Sequence, residues 1–503
     1  MAPPLRPDPS GAAGHRDDVD QFKAGLLWLG SATLLTRLLS VGATLVVLAF
    51  LTPEDIGLAA LAWSVGVVVE AFNGLGVGSA LVQRSKEGVD DRHSLWWFAT
   101  GLGVALCLVM VALGPVFAAI YDEPELIPMM AVSGLKMIFV GAAVVPIHIL
   151  MKRLEFKRSA AVQSSATFLE SITKIALAAT GLGAWALVIA NVARGAFAWL
   201  AARVFCPYRV RWAFSWSVLK PYIAFGARMS GSRALFHFYR NADYFIVGKV
   251  FGVDLLGIYK VAYEIAMTPT EAVLQVVNRV AYPVFARIGA EKDRVVAAFT
   301  HIARSLVFLT GTMAVFLFFA AEDLIRLITH DGWLAAVPAI QILCWGGMLR
   351  GLAQLFPELV TAAGRPGLAL VDGIISMVVL VGAFTVAALA FGDTLGIEAV
   401  CWAWVVSYPV IIVFLVWLAR GVVPLRPGPL LAATGGAFGG VACVGLALFG
   451  AATLLATLGA PPAATVPLLA GVGIGTLLAY ARVALGVRPR DVLPRREELL
   501  ESP

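Results

Sequence analysis

Charge is scarce in this chain. Only 14% of its 503 residues are Asp, Glu, Lys or Arg, whereas 60% are hydrophobic. A soluble domain carries about 25% charged and about 45–50% apolar residues, so a water-soluble enzyme of this size could not cover its surface with polar groups. Cysteine is scarce as well. Cys107, Cys206, Cys344, Cys401 and Cys443 are scattered, which excludes a disulfide framework or a zinc module as the organising feature. There is no P-loop, so ATP hydrolysis by that machinery is excluded. His15, His93, His148, His301 and His330 are dispersed, and no metal or other cofactor is expected. Residues 1–20 lack the basic start and short apolar core of a signal peptide. They are rich in Pro, Gly and charge and read as a disordered tail.

Long apolar runs are what the chain has in abundance, and its mean hydropathy is +0.86. A hydrocarbon core about 30 Å thick takes about 20 apolar residues in helical form. Stretches of that kind cover 24–51, 56–83, 93–120, 125–151, 159–180, 183–206, 219–251, 257–285, 296–321, 333–360, 367–391, 395–420, 430–457 and 464–487. The expected fold is an all-α polytopic membrane protein of about fourteen transmembrane helices, joined by loops too short to hold a soluble domain.

The net charge of +6 reports topology in such a chain, and nucleic acid is not an expected partner. After the even-numbered stretches come Arg84 and Lys86, then Lys152, Arg153, Lys157 and Arg158, then Arg203, Arg209, Arg211 and Lys220. Arg287, Lys292 and Arg294 follow, then Arg365, then Arg420 and Arg426, and finally Arg488, Arg490, Arg495 and Arg496. The intervening loops, such as Thr52-Pro-Glu-Asp55 and Tyr121-Asp-Glu-Pro-Glu125, contain neither Lys nor Arg. The positive-inside rule then places both termini in the cytoplasm.

An internal repeat organises the helices. Leu51-Thr-Pro-Glu54-Asp-Ile-Gly57 aligns with Phe251-Gly-Val-Asp254-Leu-Leu-Gly257, and Gly30-Ser31 aligns with Gly231-Ser232. Two parallel six-helix lobes are expected at 21–206 and 219–420, with a cytoplasmic linker at 207–218. An accessory helix pair at 421–487 and cytoplasmic tails at 1–20 and 488–503 complete the chain. Parallel repeats of this kind are a recurring transporter plan, with the site between the lobes.

Charged side chains inside the helices are costly, about 2.5–3.5 kcal/mol each at mid-bilayer, and face a cavity or a partner. At 100° per residue, Arg233, His237 and Arg240 share one face of the 219–251 helix, with Asp243 beside them. Lys260, Glu264, Glu271, Gln275 and Asn278 form a stripe on 257–285. Gln163, Thr167, Glu170 and Lys174 form another on 159–180, and Arg350, Gln354 and Glu358 lie on 333–360. Arg37 lies on the first helix, Glu70 and Asn73 on the second. Lys136 could pair with Glu70 or Glu170, and Glu170 could pair with Lys174 at i,i+4. Lys260 and Arg326 could snorkel. Guanidinium groups suit phosphate oxygens through bidentate charged hydrogen bonds, so Arg37, Arg233, His237 and Arg240, with Glu264, Glu271, Gln275 and Asn278, are the candidate substrate-binding residues. Glu70 and Asp243 are candidate coupling acids. Gly74-Leu-Gly76-Val-Gly78 superficially matches a dinucleotide loop but falls within an apolar helical stretch without a preceding strand. Gly471, Gly473 and Gly475 read as close helix packing, and the last helix pair, nearly free of internal charge, reads as facing lipid or packing at the rim.

The segment Phe72-Asn-Gly-Leu-Gly-Val-Gly-Ser-Ala-Leu-Val-Gln83-Arg84 resembles the corresponding part of bacterial polysaccharide-repeat-unit flippases. So do Asp243-Tyr-Phe-Ile-Val-Gly248 with Leu256-Gly257-Ile-Tyr259, and Pro269 with Tyr282-Pro283-Val-Phe285-Ala-Arg287. These belong to the multidrug/oligosaccharidyl-lipid/polysaccharide exporter superfamily, in the polysaccharide transporter branch. The resemblance covers residues 20–420. It implies alternating access by two lobes, a polyprenyl-diphosphate-linked glycan as substrate, the bacterial inner membrane as location and polysaccharide polymerase machinery as a partner, with no covalent chemistry. The alternatives within the superfamily are a cation-coupled multidrug exporter and a lipid II flippase. The arginine cluster of lipid II flippases is not evident here beyond Arg37.

Overall fold

The computed structural model describes residues 36, 39–78, 81, 89–208, 210–288, 291–329, 331–425 and 427–484. Arg37 lies outside them. Among the described residues there is no strand. A chain in lipid must satisfy its backbone hydrogen bonds internally, and the apolar runs do so as helices. These are α1 (Leu39–Leu48), α2 (Pro53–Glu70), α3 (Val89–Tyr121), α4 (Leu126–Lys152), α5 (Phe156–Ala179) and α6 (Ala184–Phe205). They continue as α7 (Trp216–Arg240), α8 (Ala242–Ile288), α9 (Lys292–Ile328), α10 (Ala336–Ala353) and α11 (Leu355–Ala362). The last four are α12 (Pro366–Leu395), α13 (Glu398–Ala419), α14 (Pro427–Thr457) and α15 (Pro462–Ala484).

Ten helical segments among the described residues are long and apolar enough to cross a membrane, so this is a multi-pass membrane protein. The long helices outside that set are α5, α7 and α8. They are also the helices with the polar stripes, and those stripes lower their hydropathy.

Two compact units divide the chain, Met1–Asn241 and Ala242–Pro503. In the first, α4 packs against α3 and α6, α5 against α6, and α2 against α4, α6 and α7. Glycines bring α3 and α4 into backbone contact: a Cβ on Gly141 would lie 2.4 Å from the Ala99 carbonyl oxygen, and one on Gly103 2.5 Å from that of Met137. Close approach of this kind replaces the hydrophobic drive that lipid cannot supply between helices. One end of the unit is closed by an apolar cluster that includes Val77, Leu95, Ile149, Val162, Leu219 and Tyr222.

In the second unit, α9 packs against α10, α14 and α15, and α10 against α8 and α13. The final pair is therefore seated on α9. The reading of Gly471, Gly473 and Gly475 as packing glycines is corrected here: Gly471 and Gly475 face open space, and Gly473 is only in ordinary contact with Leu448. The tight positions are elsewhere, at Gly311, where a Cβ would meet Val441 at 2.6 Å, and at Gly440, where it would meet Phe308 and Tyr480 at 2.6 Å.

Two expected helices take a different shape. The 219–251 stretch is interrupted at Asn241, between α7 and α8. The break expected between the 219–251 and 257–285 stretches is a single residue, Gly252, with φ 85° and ψ 174° inside α8. Tyr259 Oη donates to Asp243 Oδ2 at 2.7 Å. Sixteen residues of uninterrupted helix would span about 24 Å, so the chain reverses at Gly252.

Two turns recur in both units, while a third position differs: Thr52 (φ −86°, ψ 163°) caps α2 with a capping box to Asp55, whereas Gly252 breaks α8 with φ of the opposite sign. Arg153 (φ −82°, ψ 3°), Leu154 (φ 57°) and Glu155 (φ −77°, ψ 57°) join α4 to α5. Ala363 (φ −78°, ψ 9°), Gly364 (φ 78°) and Arg365 (φ −119°, ψ 60°) join α11 to α12. Gly183 (φ 55°, ψ −137°) precedes α6, and Gly396 (φ 58°, ψ −141°) precedes α13.

Candidate functional site

The first unit presents the cationic face of α7. Arg233 is exposed, whereas His237 and Arg240 are half-buried. The Arg240 guanidinium lies 5.3 Å from the Phe236 ring centroid, and Phe236 meets the His237 ring edge to face at 5.7 Å. Asn241 Nδ2 donates back to the His237 carbonyl at 2.7 Å and satisfies the end of α7. Aromatic faces thus hold two of the three cationic candidates, and no ion pair is formed by Arg233 among the described residues.

Elsewhere in the unit the internal charges have polar partners. Lys136 Nζ meets Glu70 Oε2 at 2.8 Å, with the lysine side chain only 12% exposed, which decides between the two partners expected for it. Glu170 is met by Arg194 Nε at 3.5 Å, and Lys174 Nζ donates to Thr44 Oγ1 at 3.1 Å. Arg194 was not singled out in the sequence, because it lies on the neighbouring α6.

The segment Gly74-Leu-Gly76-Val-Gly78 is not part of a continuous helix. Residues Asn73–Gly76 form a 3-10 turn with Gly74 at φ 71° and Leu75 at φ 37°. Gly76 (φ 65°) and Gly226 of α7 touch so closely that a Cβ on Gly226 would fall 1.4 Å from the Leu75 carbonyl oxygen. A Cβ on Gly78 would strike the His148 ring at 2.2 Å. These glycines admit α7 and His148 against the break, and Asn73 Nδ2 secures it by donating to the Met137 carbonyl at 2.8 Å.

Tyr208, Arg211, Ala213 and Ser215 are strapped to the start of α3. Buried His93 Nδ1 accepts from the Arg211 N–H at 3.3 Å and lies 2.7 Å from Tyr208 Oη. Burial pushes the Tyr208 phenol up to about 12, so it remains a neutral donor. Ser94 Oγ bridges the Ala213 carbonyl and the Ser215 N–H. Trp97 Nε1 donates to the Arg211 carbonyl, and the Trp97 ring stacks on Trp212 at 4.1 Å.

The second unit holds a polar and aromatic node. Asp243, completely buried, accepts from its neighbour Tyr244 N–H at 3.0 Å and from Tyr259 Oη at 2.7 Å. Trp404 Nε1 of α13 donates to the same Tyr259 oxygen at 2.8 Å. Arg350 of α10, 5% exposed, donates to Tyr263 Oη at 2.7 Å, lies 3.7 Å from Glu271 Oε1, and sits 5.8 Å from the Trp404 ring centroid. Lys260 Nζ pairs with Glu264 at 2.5 Å and lies 5.3 Å from the Tyr244 centroid. Lys260 therefore has a partner within its own helix turn, and Arg326 has one in Glu322. Asp243, Glu264 and Glu271 come together with Arg350 around these rings. Gln275 is exposed further along α8, and Asn278 Oδ1 is buried without a hydrogen-bond partner.

Sequence reasoning missed Tyr244, Tyr259, Tyr263 and Trp404. Tyr259 and Tyr263 could have been found, since their i,i+4 spacing puts them on one helix face beside Lys260 and Glu264. Trp404 carried no such signal, because its role arises only when α13 packs near α8. Among the described residues no group of three His, Cys, Asp or Glu side chains could hold a metal ion.

Comparison with known proteins gives this geometry its setting. The teichuronic acid biosynthesis protein TuaB of Bacillus subtilis (strain 168) is 27% identical over 365 residues, covering 70% of this chain and 72% of that protein. The lipopolysaccharide biosynthesis protein WzxC of Escherichia coli (strain K12) is 20% identical, covering 74% and 77%. The succinoglycan biosynthesis transport protein ExoT of Rhizobium meliloti (strain 1021) is 23% identical, covering 71% and 72%. In fold, the chain is similar to the lipid II flippase MurJ in an inward closed conformation, with a TM-score of 0.72 at 11% identity over 93% of this chain and 99% of that one. It is also similar to an inward-facing multidrug resistance transporter of the MATE family, with a TM-score of 0.60 at 17% identity over 76% and 94%. The profile of one family matches residues 46–338, more than half of the chain: this protein belongs to the polysaccharide biosynthesis protein family.

Proposed function

We propose that this protein is a flippase that moves a polyprenyl-diphosphate-linked oligosaccharide repeat unit across the bacterial inner membrane, for exopolysaccharide or lipopolysaccharide assembly. The observation that carries the reading is the family match over 46–338, with relatives named for teichuronic acid, lipopolysaccharide and succinoglycan biosynthesis. Two parallel six-helix lobes, 21–206 and 219–420, with the accessory pair 421–487, alternate access within a fourteen-helix fold whose termini face the cytoplasm. Arg233, His237 and Arg240, with Arg37, engage the diphosphate or acidic sugars through charge-assisted hydrogen bonds. Glu264, Glu271, Gln275 and Asn278 meet sugar hydroxyls, and polysaccharide polymerase machinery receives the flipped unit.

Of the two candidate coupling acids, Glu70 is already paired with Lys136. Asp243 has no cation within ion-pair distance among the described residues and takes its hydrogen bonds from Tyr259 and a backbone N–H. Asp243 is therefore the better group to change its proton or cation occupancy between the two facing states, which must differ in affinity for the driving ligand. Deletion of the gene tests the central reading. Polymer production should stop while the lipid-linked repeat unit accumulates in the cytoplasmic leaflet. Normal polymer without accumulation would exclude it.

A further inference from the structure

Three basic segments of the second unit, far apart in sequence, meet around one cavity of about 180 Å³. It lies where α8 ends, α9 begins, α11 ends and α12 begins, beside the chain leaving α13. Its buried walls are Phe285, Val295, Leu359 and Val423. Its rim carries exposed Lys292 and Arg365 together with the main chain of Gly421. No acidic residue lines it, and neither rim cation forms an ion pair among the described residues.

The backbone adds to this positive field. Lys292 is the first residue of α9 and Arg365 the residue that caps α12. Neither helix start is closed by a side-chain hydrogen bond, so first-turn N–H donors and the positive ends of two helix dipoles accompany the two side chains. The matching turn of the first unit is basic too but differs at the helix start: Glu155 stands where Arg365 does, and it is neutralised by Arg158 at 2.5 Å.

We infer that this cavity is a phosphate site for an anionic phospholipid headgroup, separate from the flippase substrate path proposed above. Its volume is below the ~300–1,000 Å³ of pockets for drug-sized ligands, so it suits a headgroup and not an oligosaccharide. The apolar walls beneath a cationic rim favour a phosphate ester attached to lipid over free inorganic phosphate. Its surroundings agree with that source: Arg287, Lys292, Arg294, Arg365 and Arg420 outnumber the acids of their segments, Glu291 and Asp293, Glu291 is taken up by Arg294, and anionic lipid is concentrated where net basic segments meet the membrane surface.

Native mass spectrometry of the full 503-residue chain in detergent tests the assignment, with titrations of phosphatidylglycerol, phosphatidylcholine and inorganic phosphate. Lys292→Gln and Arg365→Gln should each weaken phosphatidylglycerol binding about tenfold, and the double variant about a hundredfold, as for loss of partly solvated charge-assisted hydrogen bonds. Lys292→Arg should retain binding. Arg294→Gln removes the same charge from the same helix, but Arg294 is already engaged with Glu291 and lies outside the cavity, so binding should be unchanged. Both rim side chains are exposed, so melting temperatures without added lipid should match wild type and exclude misfolding as the cause. Equal phosphatidylglycerol affinity in the double variant and wild type, or an equal loss in Arg294→Gln, would overturn the site. Displacement of phosphatidylglycerol by inorganic phosphate at equal concentration would overturn the lipid as the source of the phosphate.

Discussion

Tyr259→Phe deletes one oxygen and strands two buried groups. The Tyr259 hydroxyl donates to Asp243 at 2.7 Å and accepts from Trp404 Nε1 at 2.8 Å, and all three residues are at most 3% exposed. Loss of the bond to the carboxyl costs about 1.5–3 kcal/mol and a stranded indole N–H about 1–3 kcal/mol, giving about 2.5–6 kcal/mol together. At about 2 °C per kcal/mol for a unit of this size, the melting temperature should fall by about 5–12 °C. A maleimide dye can follow the melting, because Cys107, Cys206, Cys344 and Cys401 are buried and Cys443 is exposed. In a Cys443→Ser background the signal comes from core thiols, including Cys401, three residues from Trp404. Adding Trp404→Phe removes the stranded N–H, so the two substitutions should be less than additive by about 1–2 kcal/mol. A shift below about 2 °C for Tyr259→Phe, or strict additivity of the pair, would refute the reasoning that these groups form one hydrogen-bonded chain.

Three further outcomes are expected. Gly226→Ala should prevent accumulation of folded protein, since its Cβ would sit 1.4 Å from the Leu75 oxygen, whereas Gly42→Ala, with nothing within 4 Å, should accumulate normally on immunoblots of membranes. Arg233→Gln and Arg240→Gln should each lower glycan export at equal protein level, by about tenfold or more if each loses a contact of about 1.5–3 kcal/mol; export at the wild-type rate in both would defeat the ligand-binding role and leave only aromatic packing for Arg240. In a cysteine-free background Glu125→Cys should react with an impermeant thiol reagent in intact cells, and Lys157→Cys only after the membrane is opened; both positions are exposed, and the reverse pattern would invert the proposed topology.

The fold was legible wherever a single apolar run settles the answer. The stretches near 93–120, 125–151 and 367–391 each hold one helix, because twenty or more apolar residues have no other stable form in lipid. Breaks were less legible. Gly74 and Leu75 interrupt a helical run because neighbouring helices hold them in place, and no local sequence rule reports a neighbour; Asn241 ends α7 by bonding back to His237. Single charges were legible as needing a partner, since Lys136, Glu70, Glu170 and Arg350 stand out in apolar surroundings; Arg350 is buried and the other three half-buried. Their partners were legible only in part. Glu70 was one of two acids expected for Lys136, while Arg194 and Trp404 depend on which helix faces which. The polar stripe on α8 was legible as a face; its tyrosines were not, because a tyrosine in a membrane helix reads equally well as an interfacial residue.

The distances in sequence between buried partners set a timetable for synthesis. Chains emerge at about 5–20 residues per second. Glu70 meets Lys136 across 66 residues, so its carboxylate waits about 3–13 s for its ammonium. Asp243 has an early guardian in Tyr259, 16 residues on, which emerges about 1–3 s later. Trp404, 145 residues beyond that tyrosine, follows only after about 7–29 s, and Arg350 trails Tyr263 by 87 residues. The partner that answers Asp243 across the Gly252 turn is therefore available well before the indole that completes the Tyr259 hydroxyl, and a chain ending before α13 would hold the residues of the first bond without those of the second.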